Sequence, residues 1–201
     1  MPNPAPTDVP LNELVRNRWS PRAFADKPVA PEVLRSLFEA ARWAPSSSNE
    51  QPWAYLVATK DDPTNFAKML SVLVEFNAGW AKNAAVVALS VAHLKTQKGD
   101  APNHLAQHDV GSASAQLTFE AVSRGLLVHQ MAGYDAAKAR QVFAIPQDWA
   151  PVAAMAIGYP GDPQSLPEKL REREVAPRVR KPLTEFVMSG GWGHTASFVA
   201  K

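Results

Sequence analysis

Residues 83–94, NAAVVALSVAHL, constrain the fold of this chain more than any other stretch. The run is apolar almost throughout and is closed off by Lys82 and Lys95. A membrane-spanning helix needs about 20 apolar residues in a row, and no stretch here approaches that. The run therefore reads as a buried strand. Three other β-rich segments accompany it: WAYLVAT at 53–59, LLVHQMAG at 126–133 and PVAAMAIGY at 151–159. Helical spacing fills the intervals. From Pro31, a residue type favoured in a first helical turn, an apolar stripe of Val33, Leu34, Leu37, Phe38 and Ala41 runs on until Pro45 ends it. Residues 63–76 read as one helix after Asp62. Val110, Ala113, Leu117, Phe119 and Val122 repeat at helical spacing between His104 and Arg124, and Gly125 stands where a C-terminal cap belongs. Shorter helices are expected at 11–17, at 135–145 behind an acidic cap, and at 167–174. Residues 178–187 are expected to close the core. Strands alternating with helices give a layered sheet-and-helix domain.

A chain of 201 residues fits one such domain and can bury a sizeable core. No internal repeat divides it, and no linker is long enough to separate a pair of domains. Residues 1–10, MPNPAPTDVP, are proline-rich and read as an extended arm, with no basic region followed by an apolar run as in a signal peptide. Residues 11–187 form the domain. Residues 188–201 are a tail whose Trp192 and Phe198 suggest packing on a partner subunit. The net charge of +2 is too small to argue for nucleic acid or an anionic membrane. The absence of cysteine excludes disulfides, thiolate nucleophiles and cysteine-based zinc sites, and suits a cytoplasmic protein.

Four places have the side chains for chemistry. In RNRWSPRAF, Arg16, Arg18 and Arg22 occur with no acid among them and with Ser20 between two of them. This is either a solvated basic turn or an anion site, since the planar fork of arginine suits phosphate. In APRVRKP, Arg178 and Arg180 alternate, so extended backbone projects both to one side, where they repel unless an anion lies between them or each faces solvent. The loop PSSSNEQPW offers Ser46, Ser47, Ser48, Asn49 and Gln51, which either read the polar edges of a ligand or satisfy their own backbone. His104 and His108 share a helix face beside Asp109, without the third ligand a metal would need; a histidine at a helix start more often faces water. There is no glycine-rich dinucleotide fingerprint, no phosphate loop ending in Lys-Ser or Lys-Thr, and no Gly-x-Ser-x-Gly elbow.

Taken in order, RWSPRAF, ARWAPSSSNEQPW, FNAGWAKNAAVV, GLLVHQMAGYD, AAMAIGYPGD and RVRKPLTEFV resemble the FMN-dependent nitroreductase family, over about residues 11–187. The resemblance implies an α+β three-layer sandwich, with a central mixed sheet flanked by helices, in an intertwined homodimer that holds FMN at the subunit interface. It implies that Arg18, Trp19, Ser20 and Arg22 meet the phosphate and pyrimidine side of the flavin, that Asn77 touches the ring edge, and that Arg178 and Arg180 clamp the phosphate. The loop with Pro45, Ser46, Ser47, Asn49 and Gln51 would cover the ring from the other subunit. The turn of Met131, Ala132 and Gly133 would place a backbone N–H near the flavin N5.

The function this implies is an oxidoreductase in which NAD(P)H and then an electron-poor acceptor, a nitroaromatic or quinone, use one cleft in ping-pong fashion. The flavin performs the chemistry and no side chain is required as nucleophile, although Arg22 is placed to stabilise reduced flavin. Such a scheme needs neither a metal nor a nucleic-acid or membrane partner. The alternatives are a flavin reaction of another kind, dehalogenation or flavin breakdown, a flavin-storage or sensing protein without turnover, and an interaction module whose arginines are merely solvated. The chain departs from the family pattern in having Trp19 and Trp80 where relatives often carry a basic residue, and Ala132 where some carry Glu. Either tryptophan would then stack on ring or substrate, or simply pack.

Overall fold

A computed structural model describes residues 3–200; Met1, Pro2 and Lys201, at the two expected arms, lie outside the described residues. Four strands form one sheet: β1 (Trp53–Thr59), β2 (Val86–His93), β3 (Leu127–Met131) and β4 (Trp149–Gly158), in the order β1-β2-β4-β3. Among the described residues there are seven α-helices: α1 (Glu13–Asn17), α2 (Pro31–Arg42), α3 (Pro63–Leu70), α4 (Glu75–Ala81), α5 (Ala106–Ser123), α6 (Ala136–Phe143) and α7 (Glu168–Val175).

The apolar run lies at the centre as β2, paired on both sides and buried from Val86 to Ala92. Side chains of successive strand residues leave opposite faces, and the two faces have different covers. Val87, Leu89 and Val91 join Ala154 and Ala156 under Phe66, Met69, Trp80 and Ala139 of α3, α4 and α6. Val86 and Ala88 join Met155 and Ile157 under Leu37, Ala41, Ala113, Leu117 and Ala121 of α2 and α5. The result is the expected α+β sandwich of helices, sheet and helices. Register slips once, between Ser90 and Val91. The Ser90 hydroxyl repairs the ladder there by donating to Ala153 O at 3.1 Å and accepting from Ala153 N at 3.2 Å.

Helix boundaries follow local chemistry. Asp62 caps α3 by accepting from Asn65 N, and Asp135 caps α6 by accepting from Lys138 N. Gly125 follows α5 at φ +74°, a left-handed conformation that glycine adopts without steric cost.

Three expectations are corrected. The helix expected over 63–76 is two helices, because the turn after β3 claims the backbone between them. Val74 N donates to Gly133 O and Asp135 N to Val72 O, while Leu73 and Tyr134 form an isolated bridge. Every pairing within the chain is antiparallel, where a mixed sheet was expected, since residues 176–182 pair with no strand among the described residues. Residues 178–187 do not close the core of this chain: Val179 and Phe186 are 77% and 58% exposed. The tail turns back through a Met188–Thr195 bridge and leaves Trp192 at its exposed tip.

Candidate functional site

The two cationic segments at opposite ends of the sequence meet. Arg18 follows α1, with its Nη1 donating to Ser20 Oγ at 3.2 Å. Burial, and after it the charge of Arg180, pushes the Arg18 pKa down; burial, then Arg18 and Arg180, do the same to Arg178. Among the described residues, no carboxylate forms an ion pair with any of these three guanidinium groups. They border a cavity of about 960 Å³ between the N-terminal arm and residues 178–186. Arg18 and Ser20 also border a smaller one of about 160 Å³ against Thr118, Phe119, Val128 and Gln130. Arg178 is partly committed, since its Nη1 donates to Asn3 O at 2.9 Å and Arg16 O at 3.2 Å, tying the two ends of the chain together. Arg180 is exposed and, among the described residues, donates only to its neighbour Val179 O.

Arg22 lies in the same segment but is held differently. Its backbone N–H and that of Ala23 donate to the Glu174 carboxylate at 2.9 Å, while its side-chain Nε is buried with no hydrogen-bond partner. His129 on β3 supports the segment from beneath, with its Nδ1 donating to Pro21 O at 2.8 Å and its ring 4.6 Å from that of Trp80. Burial is the main cause that lowers the His129 pKa to about 4, and Arg22 and Arg18 lower it further. The imidazole is therefore neutral at pH 7. Trp19 and Trp80 are both buried, and among the described residues Trp80 Nε1 is a second buried donor without an acceptor.

Met131, Ala132 and Gly133 end β3. Met131 is buried in the core, Ala132 is exposed, and Asn77 Nδ2 donates to Gly133 O at 3.0 Å. The amide of Asn77 thus holds the turn. A Cβ on Gly133 would collide with that amide and approach Val74 Cγ2 to 2.9 Å, so only glycine lets the turn come this close to α4. Among the described residues the Gly133 N–H has no acceptor.

The serine loop is a built feature with three non-glycine residues in left-handed conformations: Ser48, Asn49 and Gln51, at φ 52°, 57° and 47°. Such strain collects at functional sites and persists only where the surroundings impose it. Here Gln51 N donates to Ser46 Oγ and Gln51 Nε2 to Asn49 O. Gln97 donates to Glu50 from both its backbone and its amide. Ser47 N donates to the Asp109 carboxylate at 3.0 Å. Pro45, Ser47, Asn49 and Gln51 remain exposed, and the side chains of Ser47, Ser48 and Asn49 make no hydrogen bond among the described residues. Asp109 lies nine residues before Thr118 on α5, which at 1.5 Å per residue separates the loop's anchor from the Arg18 hollow by roughly 14 Å. The chain brings 18–22 and 178–180 together; it does not bring the serine loop to them.

In the sequence Asp109 adjoins His108, which shares a helix face with His104. Those histidines are exposed, and Asp109 is 3% exposed and turned to the loop instead. Asp109→Ala is expected to leave the Ser47 N–H without an acceptor, a loss of about 1–3 kcal/mol. Hydrogen exchange at Ser47 should quicken about tenfold or more; unchanged protection would show that the loop holds itself. Glu174 and His129 were not found from the sequence. A buried glutamate in the charged run EKLRERE has no pattern to reveal it, and His129 was legible only as a polar interruption of an apolar strand.

Comparison with known proteins gives these features a context. The pattern defining the Nitroreductase family matches residues 15–159. The "Putative NADH dehydrogenase/NAD(P)H nitroreductase" of Xanthomonas oryzae is 31% identical over 176 residues, covering 78% of this chain and 87% of that protein. An uncharacterized 15.4 kDa protein of Mycolicibacterium smegmatis is 43% identical over 86 residues, covering 43% of this chain and 58% of that one. A nitrobenzene nitroreductase of Ectopseudomonas oleovorans is 44% identical over 54 residues, covering 27% of this chain and only 24% of its own length. Among solved structures, one described as an oxidoreductase containing FMN superposes with a TM-score of 0.90 at 34% identity, covering 96% of this chain and 98% of that one.

Proposed function

Because the chain belongs to the nitroreductase family, we propose that it is an FMN-dependent oxidoreductase taking electrons from NAD(P)H and passing them to a nitroaromatic, quinone or similar electron-poor acceptor. The observation that carries this reading is the meeting of Arg18, Arg178 and Arg180 on one cavity that Asp8 also lines, with none of the three ion-paired to a carboxylate among the described residues. Three mutually repelling cations are stable beside one another when a dianionic phosphate monoester joins them. The buried, unpartnered Nε of Arg22 supports the same ligand, as a donor in need of an acceptor. So does the close turn at Gly133, whose free N–H is the donor expected near N5.

In this reading Arg18, Ser20, Arg178 and Arg180 hold the phosphate, and Arg22 with Trp19's backbone neighbourhood meets the pyrimidine side. Asn77 fixes the turn that carries Met131, Ala132 and Gly133 to the ring edge. FMN, when bound, supplies the hydride chemistry, and the protein supplies position and electrostatics. Arg22 places positive charge where negative charge develops on reduction. Pro45, Ser46, Ser47, Asn49 and Gln51 cover the ring of a second copy's site, which accounts for a rigid, polar and exposed loop. The homodimer is supported also by apolar residues of the C-terminal arm left uncovered, Trp192 at 92% and Phe198 at 81% among them. No helix among the described residues is long and apolar enough to cross a membrane, and we place the enzyme in the cytoplasm.

The purified protein should be yellow with flavin absorption and should bleach anaerobically on addition of NADPH or NADH. Protein that stays colourless after FMN is supplied ends this reading. Flavin that binds but is never reduced by a nicotinamide would mark a storage protein or another flavin reaction. Arg180→Ala is a clean companion test, since among the described residues the side chain donates to nothing but Val179 O. It is expected to weaken FMN binding by about 1.5–3 kcal/mol, roughly 10–100-fold. The apo-protein should unfold at no lower temperature, because a repulsive neighbour of Arg18 and Arg178 has been removed.

A further inference from the structure

We propose that Glu174 is the positioning residue for Arg22: it anchors the backbone of Arg22 and Ala23 so that the Arg22 guanidinium stays free for the ligand. This inference rests on the reading that FMN lies beside Arg22.

Glu174 is 2% exposed, on a helix whose neighbouring Glu172, Arg173 and Val175 are all exposed. Both carboxylate oxygens lie 2.9 Å from Arg22 N, and Oε1 lies 2.9 Å from Ala23 N, across 151–152 residues of sequence. A buried carboxylate is costly unless paired or hydrogen-bonded. An acid present only to balance Arg22 would take its guanidinium, which has five donors to give. Glu174 takes the two backbone N–H groups instead, and the buried Nε of the same arginine is left without an acceptor. The carboxylate thus fixes where the side chain starts without occupying it; burial lowers the Arg22 pKa, and the charge of Glu174 opposes that shift.

The location of Glu174 adds a second consequence. It is the penultimate residue of α7, which runs directly into residues 176–180. One strut therefore sets both cationic segments: its end delivers Arg178 and Arg180, and its carboxylate sets the backbone from which Arg22 projects. A glutamine has the same shape but would turn an N–H toward one of the backbone donors it must satisfy.

The test compares wild type, Glu174→Gln, Arg22→Ala and the double variant. It reads the FMN dissociation constant, the ratio of affinities for oxidised and reduced FMN from the midpoint potential, and thermal unfolding of each apo-protein. Positioning predicts that Glu174→Gln weakens FMN about tenfold, more for the reduced form, and has no further effect on binding once Arg22 is alanine. Equal weakening in both arginine backgrounds, accompanying a lowered unfolding temperature, would overturn the proposal in favour of a purely structural latch. Tighter binding in Glu174→Gln would overturn it too, since that is the sign expected from simply deleting a negative charge near an anionic ligand. If Arg22→Ala leaves FMN affinity and potential unchanged, the fault lies with the placement of FMN beside Arg22 and not with Glu174 alone. Should the glutamine variant not fold, Glu174→Asp, which keeps the charge but withdraws it by one methylene, is read by the same criteria.

Discussion

Gly161→Ala is expected to destabilise the protein by about 3 kcal/mol and to loosen the segment that carries the arginines. A Cβ at this position would lie 2.5 Å from Phe24 C, 2.7 Å from Phe24 O and 2.8 Å from Ala25 N. All three are backbone atoms, so no side chain can rotate away, and one of the two chain segments must move. Moving it breaks what pins residues 23–25 to the end of β4: Gly161 N donating to Ala23 O, Ala25 N donating to Tyr159 O, and the bridge between Phe24 and Pro160. Overpacking alone costs about 1–3 kcal/mol, and each lost hydrogen bond about 1 kcal/mol more. Chemical denaturation measures the total. Because Arg22 is two residues from the collision, FMN affinity should fall with stability. By contrast Gly111→Ala, at a position where nothing lies within 4 Å of the added Cβ, should leave both unchanged or slightly improve stability. Equal stability of wild type and Gly161→Ala would mean that the 18–25 segment is not fixed by β4.

The comparison of sequence and structure turns on which interactions are local. The central strand was legible because burial on both faces writes a nearly continuous apolar run, residues 86–92, and the other three because their segments are rich in apolar and β-branched residues. The caps at Asp62, Asp135 and Gly125 were legible because a cap is satisfied within a few residues. The break between α3 and α4 was not, since the apolar pattern continues across it and the groups that break it belong to residues 133–135. The same division holds at the site. Arg18, Ser20, Arg178 and Arg180 could be named from composition, because a cluster of cations without acids is visible in the string. Glu174 and His129 could not, because their partners are backbone atoms of residues 21–23, and backbone atoms leave no mark on a sequence. The serine loop was singled out for its side chains, yet two of the groups that hold it, Asp109 and Gln97, lie 62 and 47 residues away from the residues they bond.

Stability should fall by about 3 kcal/mol as pH drops from about 6.5 to about 4, through His129 alone. The imidazole is buried against Trp80 and lies near Arg22 and Arg18, so its folded pKa is about 4 against an ordinary 6.5. Between those values the unfolded chain binds a proton that the folded chain refuses, so acid favours unfolding. The contribution is complete above about pH 6.5, is lost as pH falls towards 4, and changes no further below that. His129→Asn isolates it: an amide can still donate to Pro21 O but does not titrate. At pH 7 the variant should be less stable, having lost the ring contact with Trp80. The gap should close by about 3 kcal/mol on going to pH 4, as measured by denaturant unfolding at a series of pH values. A gap that is constant with pH would show that His129 takes up its proton in the folded state as easily as in water. That would require the ring to be open to solvent, since burial is the main cause that holds its pKa down.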